Sequence, residues 1–152
     1  IGASGISRNA FSRHAHDDHG YFGQVDVIKN YSAVSASCVM VRKSVYEDVG
    51  CLDEHNLATA FNDVDFCLRL REKGYLIVYT PYAMLYHHEA ATVGRSLGSG
   101  QSTDAGQNLK EAQFMENKYA DLIKAGDPYY NPNLTHERAD FSLRMGDKDP
   151  KI

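Results

Sequence analysis

The sequence predicts an α/β protein, and three observations lead to that fold class. A helix with clear start and stop signals is predicted over 62–74, and two short apolar segments follow at 75–80 and 83–87. A second helix is predicted over 105–126. Strand-like and helical patterns therefore alternate along the chain, which is typical of an α/β unit. No internal repeat or linker divides the 152 residues, so we expect one domain.

The first third of the chain passes from loop to predicted strand. Residues 1–23 are rich in Gly, Ser, His and Asp and follow no regular period, which predicts a loop-rich lead. Residues 24–42 first alternate and then run through small residues into CVMV at 38–41, a pattern that favours a buried strand. The segment 43–49 has room for two helical turns before Gly50 ends them.

The helix over 62–74 is the best defined element. Asn62 is a favoured N-cap, acids occupy the first turn, bases occupy the last, and Gly74 suits the position just after the helix. Apolar residues lie on more than one of its faces, so we expect a mostly buried helix.

The rest of the chain is predicted as two strands, a loop, a helix and a tail. Pro81 separates the strand segments 75–80 and 83–87, and three glycines make 93–104 a flexible loop. The helix over 105–126 rests on apolar residues that step by three or four and end before Gly126. These are Leu109, Ala112, Met115, Tyr119 and Leu122. The tail, 127–152, has turn chemistry.

Composition excludes several classes of protein. With 16 basic and 20 acidic residues the net charge is −4, which argues against a general nucleic-acid binder. No apolar run approaches the roughly 18–20 residues of a membrane helix. The three cysteines fit neither a disulfide framework nor a CxxC site, and we expect buried thiols in a reducing cytoplasm. The chain begins at Ile1 without a signal-peptide pattern, so we expect a processed chain or a piece of a longer one.

Three segments carry a family resemblance: SASCVMVRKSVYEDVGCLDE at 35–54, AFNDVDFCLRLREKGY at 60–75 and VYTPYAMLYHHEAAT at 78–92. In this order they resemble the second half of a family 2 glycosyltransferase of the bacterial surface-polysaccharide, rhamnosyltransferase-like type. GYFG at 20–23 and DPYYNPNL at 127–134 are similar to flanking segments. The resemblance implies the C-terminal part of a GT-A (nucleotide-diphospho-sugar transferase) fold, a mixed sheet with flanking helices that begins after the family's Asp-x-Asp motif.

The resemblance also implies an activity. An inverting transferase of this kind moves a sugar from a nucleotide-sugar donor to a glycan or lipid-linked acceptor, with divalent Mn²⁺ or Mg²⁺. We expect the full enzyme in the cytoplasm, including the inner face of the membrane where a lipid-linked acceptor would lie. We expect this chain alone to be inactive, because the metal would need the missing N-terminal half. The sequence names neither the sugar nor the oligomeric state.

Asp63 is the predicted catalytic base. Inverting transfer needs a group that takes the proton of the acceptor hydroxyl as that oxygen attacks the anomeric carbon. A helix N-terminus favours an ionised carboxylate by about 0.3–1 kcal/mol, and the resemblance places Asp63 on the family's catalytic aspartate. From the residues alone, the simpler interpretation is that Asp63 and Asp65 are acids of the first helical turn with no catalytic role.

Five residues are predicted to contact substrates: Ser37, Asn62, Asp65, His88 and Arg95. Ser37 stands where the family has glycine near the donor sugar, and Asn62 stands where many members have Glu. Asp65 lies about 200° around the helix from the predicted base, so we also expect it to pair with Asn62 or to hold a neighbouring loop. Arg95 either grips a diphosphate with two hydrogen bonds or is a solvated loop charge.

His87 is the predicted metal ligand. The resemblance places it on the histidine that completes the metal shell in metal-dependent members, and neutral imidazole is a reasonable partner for such an ion. From the residues alone, His87 and His88 form an ordinary surface pair after a strand.

Two other functions stay open. HAHDDH at 14–19 has the spacing of the zinc motif of metallo-β-lactamase-like hydrolases, although no apolar strand precedes it. The alternatives are therefore a metal-dependent hydrolase that uses this cluster and a non-catalytic remnant or binding module.

Overall fold

The computed structural model describes residues 6–7, 9–11, 15–86, 105–136 and 141–145. In these ranges the elements, in chain order, are β1 (Lys29–Tyr31), α1 (Lys43–Asp48), α2 (Asn62–Glu72), β2 (Ile77–Tyr79), α3 (Ala105–Lys118) and α4 (Ala120–Ala125). Short 3-10 turns lie at Tyr21–Gly23 and Ala36–Cys38.

Helix α2 lies between two apolar clusters. On one side, Val64 and Leu68 pack with Met115 and Tyr119. On the other side, Phe66, Cys67 and Leu70 pack with Val49 of the loop after α1 and with Ile77 of β2. The prediction of a mostly buried helix is confirmed, because a helix that is apolar on several faces needs cover on each of them.

The two ends of α2 are determined by different backbone features. At the C-terminal end Gly74 has φ +85°, its N–H donates to Arg71 O at 2.8 Å, and Tyr75 N–H donates to Leu70 O at 3.1 Å. This is a Schellman motif, which satisfies the last carbonyls of the helix, as the sequence predicts. At the N-terminal end the predicted cap is wrong by one residue. Phe61 is the cap, with φ 60°, and Asn62 is the first helical residue.

The left-handed backbone of Phe61 is unusual for a large side chain. A residue with a Cβ loses roughly 1–2 kcal/mol in that conformation. The Phe61 ring packs against the Val64 and Leu68 side of the core. Such a conformation persists where surrounding contacts over-determine it.

The strands of the described residues form a two-stranded antiparallel sheet in which Lys29 pairs with Tyr79 and Tyr31 pairs with Ile77. The predicted strand through CVMV is wrong. Ser35 Oγ accepts a hydrogen bond from Ser37 N–H at 3.3 Å, which favours a 3-10 turn, and Met40 is 98% exposed.

The predicted second strand, 83–87, is also not found. Residues 83–86 form no strand, because no partner lies beside them in the part of the chain that the structure describes, and residue 87 lies outside it.

The predicted helix over 105–126 is two helices that meet at Tyr119, which has φ −115°. Its apolar stripe is correct at Met115 and Tyr119 but wrong at Leu109, which is 70% exposed. In the tail, 127–152, the described residues form a small turn-rich unit with a bridge between Leu134 and Leu143. The predicted loop 93–104 lies outside the described residues.

Candidate active site

Asp63 lies at the open N-terminal end of α2. It is the second helical residue, one position later than an Asn62 cap would place it, and its side chain is half-buried. Its Oδ2 accepts the N–H of Ala36 at 3.0 Å, and its Oδ1 accepts the N–H of Val64 at 2.8 Å. These two backbone donors fix the direction of the carboxylate, and the side chain keeps access to solvent.

The 3-10 turn that holds Asp63 also carries two serines. Ser35 and Ser37 are exposed, and their hydroxyl oxygens lie 3.0 Å apart. The structure therefore brings the predicted contact Ser37 to the turn that donates a hydrogen bond to the predicted base. Asn62, partly buried, precedes Asp63 on α2. Three of the predicted site residues thus belong to one corner of the molecule.

A cavity of about 70 Å³ is lined by Asp63 together with Val34, Val41, Phe66 and Cys67. Binding pockets for small molecules measure roughly 300–1,000 Å³, so this space is too small for a sugar nucleotide. Burial raises the pKa of the Cys67 thiol, which makes the thiol a poor nucleophile. Of the three thiols expected to be buried, Cys67 is buried, Cys51 is partly buried and Cys38 is exposed.

Asp65 points away from this corner. It is 0% exposed, so it cannot contact a ligand without disruption of the core. Its Oδ2 accepts from Arg69 Nε at 2.7 Å, and its Oδ1 accepts from Lys118 Nζ at 2.6 Å and from Tyr119 OH at 2.7 Å. The expected pairing with Asn62 is not found, and the Asp65 carboxylate is connected to the loop after α1 only through Arg69.

The Asp65 cluster has the electrostatics of a satisfied buried anion. Burial alone would raise the pKa of Asp65, but the hydrogen bonds from Lys118, Tyr119 and Arg69 outweigh it and hold the pKa below its usual value. Burial and the neighbouring carboxylate raise the pKa of Tyr119 far above its usual range. Arg69 also donates to Val49 O and Cys51 O, each at 2.6 Å.

Glu111 is a buried carboxylate near the start of α2 that sequence reasoning missed. It lies on α3, is 1% exposed, and accepts hydrogen bonds from the backbone N–H groups of Thr59 at 3.2 Å and Ala60 at 2.6 Å. Burial alone would raise the pKa of Glu111, but hydrogen bonds from Gln107, Ala60 and Thr59 lower it overall. The sequence feature that could have revealed its burial is its spacing, because Glu111 lies four residues before Met115 and therefore on the same, buried face of the helix.

Three predicted site residues, His87, His88 and Arg95, lie outside the described residues. Within the described ranges, no group of three or more His, Cys, Asp or Glu side chains is placed to hold a metal ion. Asp63 and its neighbours therefore do not form a metal site among themselves, and the predicted ion stays a prediction.

The HAHDDH segment does not gather its side chains around one point in the part that is described. His16 and Asp17 are exposed, and His19 Nδ1 lies 2.7 Å from Asp26 Oδ2, outside the motif. Asp18 Oδ1 accepts the N–H of Gly20 at 2.7 Å. His14 lies outside the described residues. Nothing in this arrangement favours the hydrolase.

Among the helices of the described residues, none has the length and apolar character needed to cross a bilayer.

Curated relatives of the chain include an uncharacterized protein, an O-antigen biosynthesis protein and a rhamnosyltransferase. "Uncharacterized protein y4gI" of Sinorhizobium fredii is 37% identical over 143 residues, which are 94% of this chain and 15% of that protein. The O-antigen biosynthesis protein RfbC of Myxococcus xanthus is 34% identical over 131 residues, 84% of this chain and 9% of that protein.

A third relative is the N-acetylglucosaminyl-diphospho-decaprenol L-rhamnosyltransferase of Mycobacterium tuberculosis, 41% identical over 66 residues, 43% of this chain and 21% of that protein. The chain therefore spans a small part of the length of each relative. No protein-family model and no solved structure matches the chain. The names of the second and third relatives support a glycosyltransferase-like family.

Proposed function

We propose that this chain is the C-terminal part of the catalytic domain of an inverting glycosyltransferase with a GT-A fold. The enzyme would transfer a sugar from a nucleotide-sugar donor to a glycan or lipid-linked acceptor. The relatives named for O-antigen biosynthesis and rhamnosyl transfer support the reaction class. The name of the rhamnosyltransferase includes a diphospho-decaprenol acceptor, which supports a lipid-linked acceptor for this chain.

The observation that carries the proposal is the placement of Asp63. Its carboxylate is half-buried at a helix N-terminus, is oriented by the N–H groups of Ala36 and Val64, and lies beside the exposed turn that holds Ser37. A general base needs this combination of fixed direction and access to the acceptor.

In the proposed step, one bond forms as another breaks. The acceptor hydroxyl oxygen attacks the anomeric carbon from the side opposite the leaving group, and the bond between that carbon and the diphosphate oxygen breaks. Asp63 takes the hydroxyl proton, and the nucleoside diphosphate leaves with the electron pair.

The experiment compares Asp63→Asn with Asp17→Asn in the full-length gene product, with sugar transfer and donor binding measured separately. Loss of a general base lowers turnover by about 10²–10⁴-fold, so Asp63→Asn should lose transfer and keep donor binding. Asp17 is an exposed member of HAHDDH and serves as the matched control. Turnover that survives in Asp63→Asn would refute the assignment, and an equal loss of transfer in Asp17→Asn would show that the effect is not specific to Asp63.

A further inference from the structure

Two buried carboxylates bracket the residue that we assign as the base. Glu111 binds the backbone of residues 59 and 60, just before α2, and Asp65 lies in the first turn of α2. Asn62 and Asp63 lie between these two points. Glu111 itself lies on α3, and Asp65 accepts hydrogen bonds from Lys118, the last residue of α3, and from Tyr119, which follows it.

The Asp65 carboxylate joins three segments. It accepts from Lys118 and Tyr119 at the end of α3 and from Arg69 one turn later on α2. Through Arg69 the connection extends to the carbonyl oxygens of Val49 and Cys51 in the loop after α1. One buried anion thus fixes the rotation of α2 against two neighbouring segments.

The rotation of α2 decides where Asp63 points. Its carboxylate is held by one N–H of its own helix and by one N–H of the separate 3-10 turn, Ala36, at 3.0 Å. A small rotation or shift of α2 would lengthen the second bond and turn the carboxylate. Misplacement of a reacting group by about 1 Å can cost about 10²-fold in rate.

We propose that Asp65 is a positioning residue, which acts through Asp63 by locking α2 to α3 and to the loop after α1. The inference rests on the proposed function, because it takes Asp63 as the base. It assigns Asp65 no contact with donor or acceptor, in agreement with the complete burial of its side chain.

The mildest test is Tyr119→Phe, which removes one hydroxyl donor from Asp65 Oδ1 and keeps the buried ring. In the full-length enzyme we expect kcat to fall by about 3- to 10-fold with KM for donor and acceptor within twofold, since misalignment acts on the transition state. Asp65→Asn should lower kcat further. The exposed Tyr75→Phe is the matched control and should leave both constants unchanged.

A double-mutant cycle separates positioning from loss of fold. If Asp65 acts through Asp63, Tyr119→Phe should not lower the residual rate of Asp63→Asn any further. A purely structural effect would lower both backgrounds by the same factor, and urea unfolding of each variant measures the folded fraction. An equal factor in both backgrounds, or a rise in KM at constant kcat, would overturn the inference.

The same variants distinguish the two proposals. If Asp63→Asn loses transfer and Tyr119→Phe does not change kcat, the positioning role fails and the proposed function survives. If Asp63→Asn keeps its turnover, both fail.

Discussion

Replacement of Met115 by alanine tests how α3 packs on α2. Met115 is 0% exposed and packs with Val64 and Leu68. The change removes three heavy atoms beyond Cβ, which is about 2.4 kcal/mol at about 0.8 kcal/mol per buried methylene-sized group. The cavity left behind adds to this loss, so we expect the free energy of unfolding to fall by about 2–5 kcal/mol.

Leu109→Ala is the matched control on the same helix. It also removes three heavy atoms, but Leu109 is 70% exposed. Less than a third of the transfer free energy is therefore lost, at most about 0.7 kcal/mol, and the higher helix propensity of alanine offsets part of it. The apolar stripe in the sequence treats the two positions as equivalent, whereas the structure does not.

Urea unfolding of the 152-residue chain, followed by circular dichroism, measures both variants. We expect a large decrease in midpoint for Met115→Ala and almost none for Leu109→Ala, with equal slopes. Equal losses in the two variants would refute the packing of Met115 against Val64 and Leu68. A loss below about 1 kcal/mol for Met115→Ala would also contradict it, because truncation of a fully buried methionine lowers the free energy of unfolding by more than that.

Two further predictions concern Glu111 and Gly74. Because the folded-state pKa values of Glu111 and Asp65 are lowered, their stabilising contribution is present above the unfolded pKa values, 4.5 for Glu111 and 3.8 for Asp65, and is lost as the pH falls through the folded values. Urea midpoints between pH 7 and pH 3 should decrease less steeply in Glu111→Gln than in the wild type, and an unchanged slope would contradict the buried role of this carboxylate. Gly74→Ala should cost about 1–2 kcal/mol through the backbone alone, since φ is +85° and no atom lies within 4 Å of the added Cβ. A neutral result in the same urea assay would show that the Schellman turn is not formed.

The parts of the fold that local chemistry specifies were predictable. The bounds of α2 were predicted from Gly74 and from the acids and bases in the first and last turns of the helix, because capping signals act within a few residues. The turn at Ala36–Cys38 was not foreseen, although the Ser35 and Ser37 hydroxyls that favour it are local too. Apolar composition outweighed turn chemistry in that prediction, and the predicted strand was wrong as a result.

The site was predictable to a smaller extent. Asp63 could be singled out by its position at a helix start and by resemblance. The burial of Asp65 could not, because one of its cations, Lys118, is 53 residues away, and a pattern read along the chain does not show which distant side chain meets it. Arg69, four residues along the same helix, was the one partner within reach of a spacing rule.

The long separation between Asp65 and Lys118 has a consequence for how this sequence can change over time. Residues 59–72 and 105–119 hold each other through the buried carboxylates Asp65 and Glu111, so a substitution in one segment changes the environment of the other although they are distant in the chain. A chimera that takes one of these segments from a distant relative would join a buried carboxylate to the wrong set of donors. Recombination within this domain is therefore tolerated best where both segments are exchanged together.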